Sequence, residues 1–260
     1  MNVEAYPRPY GLWLLERRRL FRTGRWIALL ATFVVLGLGN PLATRYLGEL
    51  LRSSTSDGYL QIIVREPKPS DGMASYFSNV PSIGAIVTVV VAALAFSVRA
   101  NPPLAAMYLT HVPSRAQLLL PRLATVAAAV TVAALLGGGA ATYATTVLFG
   151  APAAGATAAG IGASCLAVVF AVAVTFGCAC VLRGQVGVIA VALVVLVVVV
   201  PSLDLIPGVR RVGPNSVINL PTALQTTAWS TDNTWATALM AALTLACVAG
   251  GLARAARWEL

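Results

Sequence analysis

Lysine is nearly missing from this chain. Lys68, set between two prolines, is the only one in 260 residues. No Gly-x-x-x-x-Gly-Lys-Ser/Thr run is present, so the chain brings no phosphate-binding loop of its own. Histidine is as scarce. His111 stands alone in a segment that reads as a loop, where a solvated side chain is the ordinary outcome. Charged residues make up 10% of the chain, against about 25% in soluble domains. No catalytic cluster and no metal-ligand cluster is visible, and an intramembrane protease would need the former at membrane depth. The four cysteines, Cys165, Cys178, Cys180 and Cys247, lie inside apolar runs. Cys178-Ala179-Cys180 lacks the two-residue spacing of a redox pair, so all four read as small apolar filler.

What fills the chain instead is hydrocarbon. Hydrophobic residues make up 58% of it, and its mean hydropathy is +0.81. So few polar side chains could not cover a water-facing surface, so most of the surrounding solvent is lipid. A membrane-spanning helix needs about 20 apolar residues. Six stretches qualify: about 26–47, 80–98, 117–146, 157–182, 185–203 and 235–252. The fifth is dominated by valine. Its length and lack of two-residue alternation favour a helix, since lipid forces the backbone to bond within its own segment. The third is longer than one crossing needs, and Pro121 or the glycines at 137–139 are candidate kinks. No Asp, Glu, Lys or Arg lies well inside a span; Arg45, Arg122 and Asp204 fall near span ends. Ion-coupled carriers usually keep such groups at membrane depth.

The charges are unevenly placed. Alternate connections hold twelve and six of the eighteen basic residues, and three and six of the nine acids. The whole surplus of +9 therefore sits on one side, which the positive-inside bias makes cytoplasmic, with both termini there. A pI near 10.0 would suggest nucleic-acid binding in a soluble domain, but no basic, aromatic folded face is available for it. The run LWLLERRRLFRTGRW, residues 12–26, reads as a cytoplasmic retention signal and membrane-surface anchor rather than a cleaved leader. The expected organisation is a cytoplasmic segment, 1–25, followed by a six-helix transmembrane domain, 26–260. Between the last two spans, 204–234 is mildly apolar and broken by Pro207, Pro214 and Pro221. Short helices dipping into the outer interface and an ordinary surface loop both fit it.

Two cytoplasmic elements carry the functional expectation. In a helix over 12–25, Leu12, Trp13 and Leu20 share one side while Arg18, Arg22 and Arg25 share another. Glu16 falls on the apolar side and spoils the segregation. The expected element is an interfacial helix at the headgroups, with Trp13, Glu16, Arg18, Arg22 and Arg25 as its marked residues. The second element is RANPPLAAMYLTHVPSRAQ, residues 99–117. Asn101 then Pro102 is a helix start, an N-cap oxygen followed by a residue with no N–H to satisfy. Leu104, Ala105, Ala106, Tyr108 and Leu109 would form about two turns. Pro113 stops them, and Ser114-Arg115-Ala116-Gln117 has capping-box form and opens the next span.

In layout this chain resembles the type-2 permease family of ABC transporters. The resemblance rests on the basic N-terminal helix, the six spans with both ends inside, the short intracellular helix before His111-Val112-Pro113-Ser114-Arg115, and the long loop before the last span. The acidic residue usual in the family's turn is missing, and Asn101-Pro102-Pro103 stands in its place. The resemblance implies a multi-pass protein of a bacterial cell membrane, paired with a second copy or a paralogue and with two separate ATPase subunits that use ATP and Mg. The chain itself would hold no cofactor and catalyse no reaction. The segment Asn101, Pro102, Leu104, Ala105, Ala106, Tyr108, Leu109, His111 and Arg115 would carry the ATPase movement into the membrane. A route without charges implies a hydrophobic or amphipathic cargo, such as a drug, lipid or peptide. The alternative is a non-transporting membrane scaffold or immunity-type protein that binds a partner.

Overall fold

The computed structural model describes residues 9–54, 67–97 and 115–257. They are helical almost throughout, with no strand among the described residues. Six helices are long and apolar enough to cross a membrane: Arg25–Tyr46, Pro69–Phe96, Leu118–Phe149, Ala154–Val181, Gln185–Leu205 and Thr231–Ala256. The architecture is the all-α, six-span one that the hydropathy pattern requires.

A separate helix, α1 (Pro9–Arg22), precedes the first span, α2 (Arg25–Ser54). Between them the chain turns at Gly24, whose φ of +66° is the left-handed conformation that glycine adopts most easily. The second span is composite: α3 (Pro69–Asn79), a π-helical turn (Val80–Gly84) and α4 (Ala85–Phe96). The sequence reading makes 48–79 an exposed loop with room for a short helix; a helix is present, and it begins at Pro69, eleven residues before the expected start of the span at 80. Ser70, Asp71, Ser75 and Ser78 gave this stretch its loop-like composition. The hydrophobic residues Met73, Tyr76, Phe77 and Val80 fall at helical spacing and are all buried. Asp71 secures the helix start by accepting the Lys68 N–H at 2.8 Å.

The third span, α5 (Arg115–Phe149), is a single helix that runs through both candidate kinks. Two of its glycines, Gly137 and Gly138, mark close approach to neighbouring helices. A Cβ on Gly137 would lie 2.7 Å from the Phe33 carbonyl oxygen and 2.8 Å from the Tyr76 hydroxyl, and one on Gly37 would collide with the Gly137 carbonyl. In lipid, small residues that let backbones meet supply much of the packing. The fourth span is α6 (Ala154–Val181). The fifth, α7 (Gln185–Val194), runs on through a π-helical turn (Val195–Val199), a last α-turn (Val200–Ser202) and a 3₁₀ turn (Leu203–Leu205).

Both π-helical turns go with a proline. Pro81 lies inside the first, and Pro201 follows the second. Proline has no N–H for the carbonyl one turn back, so the ladder loosens there. Beside these turns, Ser82 donates to the Asn79 carbonyl at 3.1 Å and Ser202 to the Val198 carbonyl at 2.6 Å.

Within 204–234, of the short helices and the surface loop that both fitted it, the structure shows a short helix over Pro214–Ala223. α8 (Pro214–Ala223) buries Pro214, Val217, Leu220 and Pro221 and rests on α3, α6 and the last span, α9 (Thr231–Ala256). Asn215 donates to the Asp204 carboxylate and ties the helix to the end of the fifth span. The centre of the bundle is aromatic, with Phe33, Tyr76, Phe77, Phe96 and Phe176 fully buried. Phe96 and Phe176 meet edge to face at 5.3 Å and lock α4 to α6.

Candidate functional site

The chemistry collects at the corner where α1 meets the base of α2 and α5. Glu16 turns inward from α1, and its Oε1 accepts from Nε of Arg122 on α5 at 2.7 Å. The Arg122 side chain is 2% exposed and that of Glu16 14%. Arg19 lies 3.9 Å from the same carboxylate oxygen. A charge so buried is tolerable only when paired. The apparent flaw in the amphipathic pattern is thus a docking contact: Glu16 leaves the charged face because Arg122 waits for it on α5. Arg122, taken from sequence as a span-end residue in reach of the interface, is held inside the protein instead.

The rest of the corner follows. The Thr23 hydroxyl donates to the Arg19 carbonyl at 2.9 Å and closes α1. Arg25 donates to the Leu94 carbonyl at 3.2 Å, joining the start of α2 to the end of α4. Trp26 donates to the Phe21 carbonyl at 3.3 Å, and the two rings stand 5.4 Å apart. Trp13, Arg18 and Arg22 are exposed, and Arg25 is half-buried.

A small cavity of about 20 Å³ lies beside the ion pair, lined by Glu16, Arg19, Thr23, Arg25, Arg122 and Thr125. That is room for about one water, with polar partners on several sides. Next to it runs a groove of about 810 Å³ between α1, α2 and α5, walled by Trp13, Arg17, Phe21, Trp26, Ala128 and Val132 among others. A third cavity, about 320 Å³, lies elsewhere in the bundle. Both π-helical turns contribute to it, through Val80, Ser82, Leu196 and Val197, and α8 adds Asn215 and Asn219.

Of the expected coupling residues, Asn101, Pro102, Leu104, Ala105, Ala106, Tyr108, Leu109 and His111 lie outside the described residues. Arg115 is the first residue of α5. Sequence reasoning marked Glu16 but missed its partner, because the two are 106 residues apart and no local spacing joins them. The usable signal was complementary: a lone acid on an apolar helix face and a lone arginine within a span.

Six apolar helices packed around a shared aromatic centre define a multi-pass α-helical membrane protein. No family model matches the chain, and no curated protein matches it.

Proposed function

We propose that this chain is the membrane-spanning subunit of an ABC transporter of a bacterial cell membrane. It would be a permease that exports a hydrophobic or amphipathic substrate by alternating access. Two separate ATPase subunits would bind ATP and Mg, and a second permease copy or a paralogue would complete the route.

The observation that carries this reading is the convergence on α5. The cytoplasmic connector leads directly into Arg115, the start of α5, and α1 is fastened to the same helix by the Glu16–Arg122 pair. α5 also packs against α2, α3, α4, α6 and α9. A partner that closes on the connector therefore displaces one rigid rod that touches most of the bundle.

The test is co-purification followed by reconstitution. The chain should bring down a P-loop ATPase and, with it, move members of a lipophilic substrate panel across proteoliposomes only when ATP and Mg are present. Ala106→Trp or Tyr108→Asp should cut ATP-driven transport at least roughly tenfold, a loss of about 1.4 kcal/mol of coupling, without impairing insertion. A chain that binds no ATPase and moves nothing in its presence would favour the scaffold or immunity-type reading.

A further inference from the structure

We propose that the groove between α1, α2 and α5 binds an anionic phospholipid, with an acyl chain in the groove and the phosphate on Arg17. The proposal does not rest on transport; occupancy is measurable with no partner and no nucleotide.

Three observations lead there. The first is shape. Trp13, Leu14, Arg17, Leu20 and Phe21 lie at helical spacing and form one wall of the groove. Ala124, Ala128 and Val132 of α5 form the other, and their short side chains leave the space open. The volume of about 810 Å³ falls in the range of about 300–1,000 Å³ typical of small-molecule sites.

The second is charge. The wall is otherwise almost wholly apolar, yet Arg17 stands in it. Among the described residues, Glu16 is the acid that ion-pairs in α1, and its partners are Arg122 and Arg19. Arg17 is exposed and, among the described residues, has no carboxylate partner. A ligand complementary to this lining has one anionic head and a long apolar tail. A zwitterionic head would bring its own cation towards Arg17, the arginine that lines the groove.

The third is position. Trp13, Leu15 and Phe21 are at least half-exposed, as expected of a helix lying at the level of the headgroups. On the side that the arginine surplus marks as cytoplasmic, anionic lipid is the abundant molecule of this chemistry.

The experiment uses the full chain in nanodiscs. Trp229→Phe, Trp235→Phe and Trp258→Phe leave Trp13 and Trp26, both in the groove, as the only fluorophores of their kind. Brominated phosphatidylglycerol and brominated phosphatidylcholine are then compared as quenchers in a non-brominated phosphatidylcholine background. The anionic lipid should quench at a roughly fivefold lower mole fraction, the factor expected from one arginine near an anionic headgroup. Arg17→Gln should abolish the preference, Arg17→Lys should keep most of it, and Arg18→Gln should leave it unchanged. Ala128→Phe, which fills the groove, should weaken quenching by both lipids. Native mass spectrometry of the unaltered chain should retain phosphatidylglycerol in preference to phosphatidylcholine. Equal quenching by both lipids, or a preference that survives Arg17→Gln, overturns the proposal. So does an absence of quenching by either, which would mean that a protein segment fills the groove.

Discussion

α6 and α7 follow one another in the chain and are the two most apolar spans, yet one lies at the centre of the bundle and the other at its rim. About 61% of the residues in the most apolar stretch of α6 are buried and about 22% in that of the fifth span, although the fifth span is the more hydrophobic of the two. In water that order would be puzzling. In a bilayer it is not, because lipid tails solvate valine as well as a protein neighbour does. What separates the two helices is fit. α6 places Gly160, Ala163, Ser164, Ala171 and Thr175 against its neighbours, and large side chains such as Phe77 close over its small ones. The fifth span turns Val186, Val191 and Val194 of α7 and Val197 and Val198 of its π-helical turn outward. Close approach decides burial here, and hydropathy decides only that the helix is in the membrane.

That view ranks a fully desolvated charge above any methyl group. Glu16→Ala removes the carboxylate to which Arg122 donates from inside the protein. Losing one member of such a pair costs about 3 kcal/mol, the low end for a buried charge, because Glu16 keeps some contact with solvent. The cost should fall on the docking of α1. Backbone amides in the second half of α1 should exchange on the order of 100-fold faster while the spans keep their protection. Exchanging the two residues, Glu16→Arg with Arg122→Glu, should recover part of the loss. Unchanged exchange in α1 would show that the helix is held by its apolar stripe alone.

The next effect compares the two helices directly. A Cβ on Gly160 of α6 would lie 2.8 Å from the buried Phe77 ring, whereas one on Gly187 of α7 meets nothing within 4 Å. Gly160→Leu should therefore cost about 2 kcal/mol through overpacking. Gly187→Leu should be neutral, or stabilising by up to about 0.8 kcal/mol, since leucine is the better helix former. Unfolding in mixed detergent micelles measures both. If Gly187→Leu were as damaging as Gly160→Leu, or broke an assembly of two chains, the outer face of α7 would be a protein contact and not a lipid one.

The six spans were legible because twenty apolar residues in a row have one use in a cell. Helix ends were less so. The start of α3 was hidden because its solvent side supplies serines and an aspartate, and composition averages over both faces of a helix. A buried stripe at Met73, Tyr76, Phe77 and Val80 was present to be read, but only periodicity reveals it. Residues 137–139 were legible as small and ambiguous as to purpose, since a kink and a close contact both want glycine. Only the position of Phe33 on another helix decides between them. At the corner, Glu16 was visible as an exception to a pattern, but the reason for it lay on α5, and a single sequence carries no record of that distance. The connector at 99–114, where most of the functional expectation was placed, lies outside the described residues.

The smallest effect concerns a neutral tie. Asn79 on α3 donates to the side-chain oxygen of Asn40 on α2 at 2.8 Å and to the Ser75 carbonyl at 3.0 Å, while Asn40 donates to the Leu36 carbonyl at 2.8 Å. The pair joins the first two spans beside Pro41 and the first π-helical turn. A hydrogen bond between helices within a bilayer is worth about 0.6 kcal/mol on average, because the separated helices also find partners. Asn79→Leu loses that bond and leaves the Asn40 oxygen unmatched. The Asn40 amide keeps its bond to Leu36, and the new side chain is better solvated by lipid. The terms nearly offset, so the unfolding free energy should fall by less than about 1 kcal/mol. A loss near that of Glu16→Ala would reverse the ranking. It would mean that the first two spans are held by their amides and that the close contact of Gly37 with Gly137 follows from that tie.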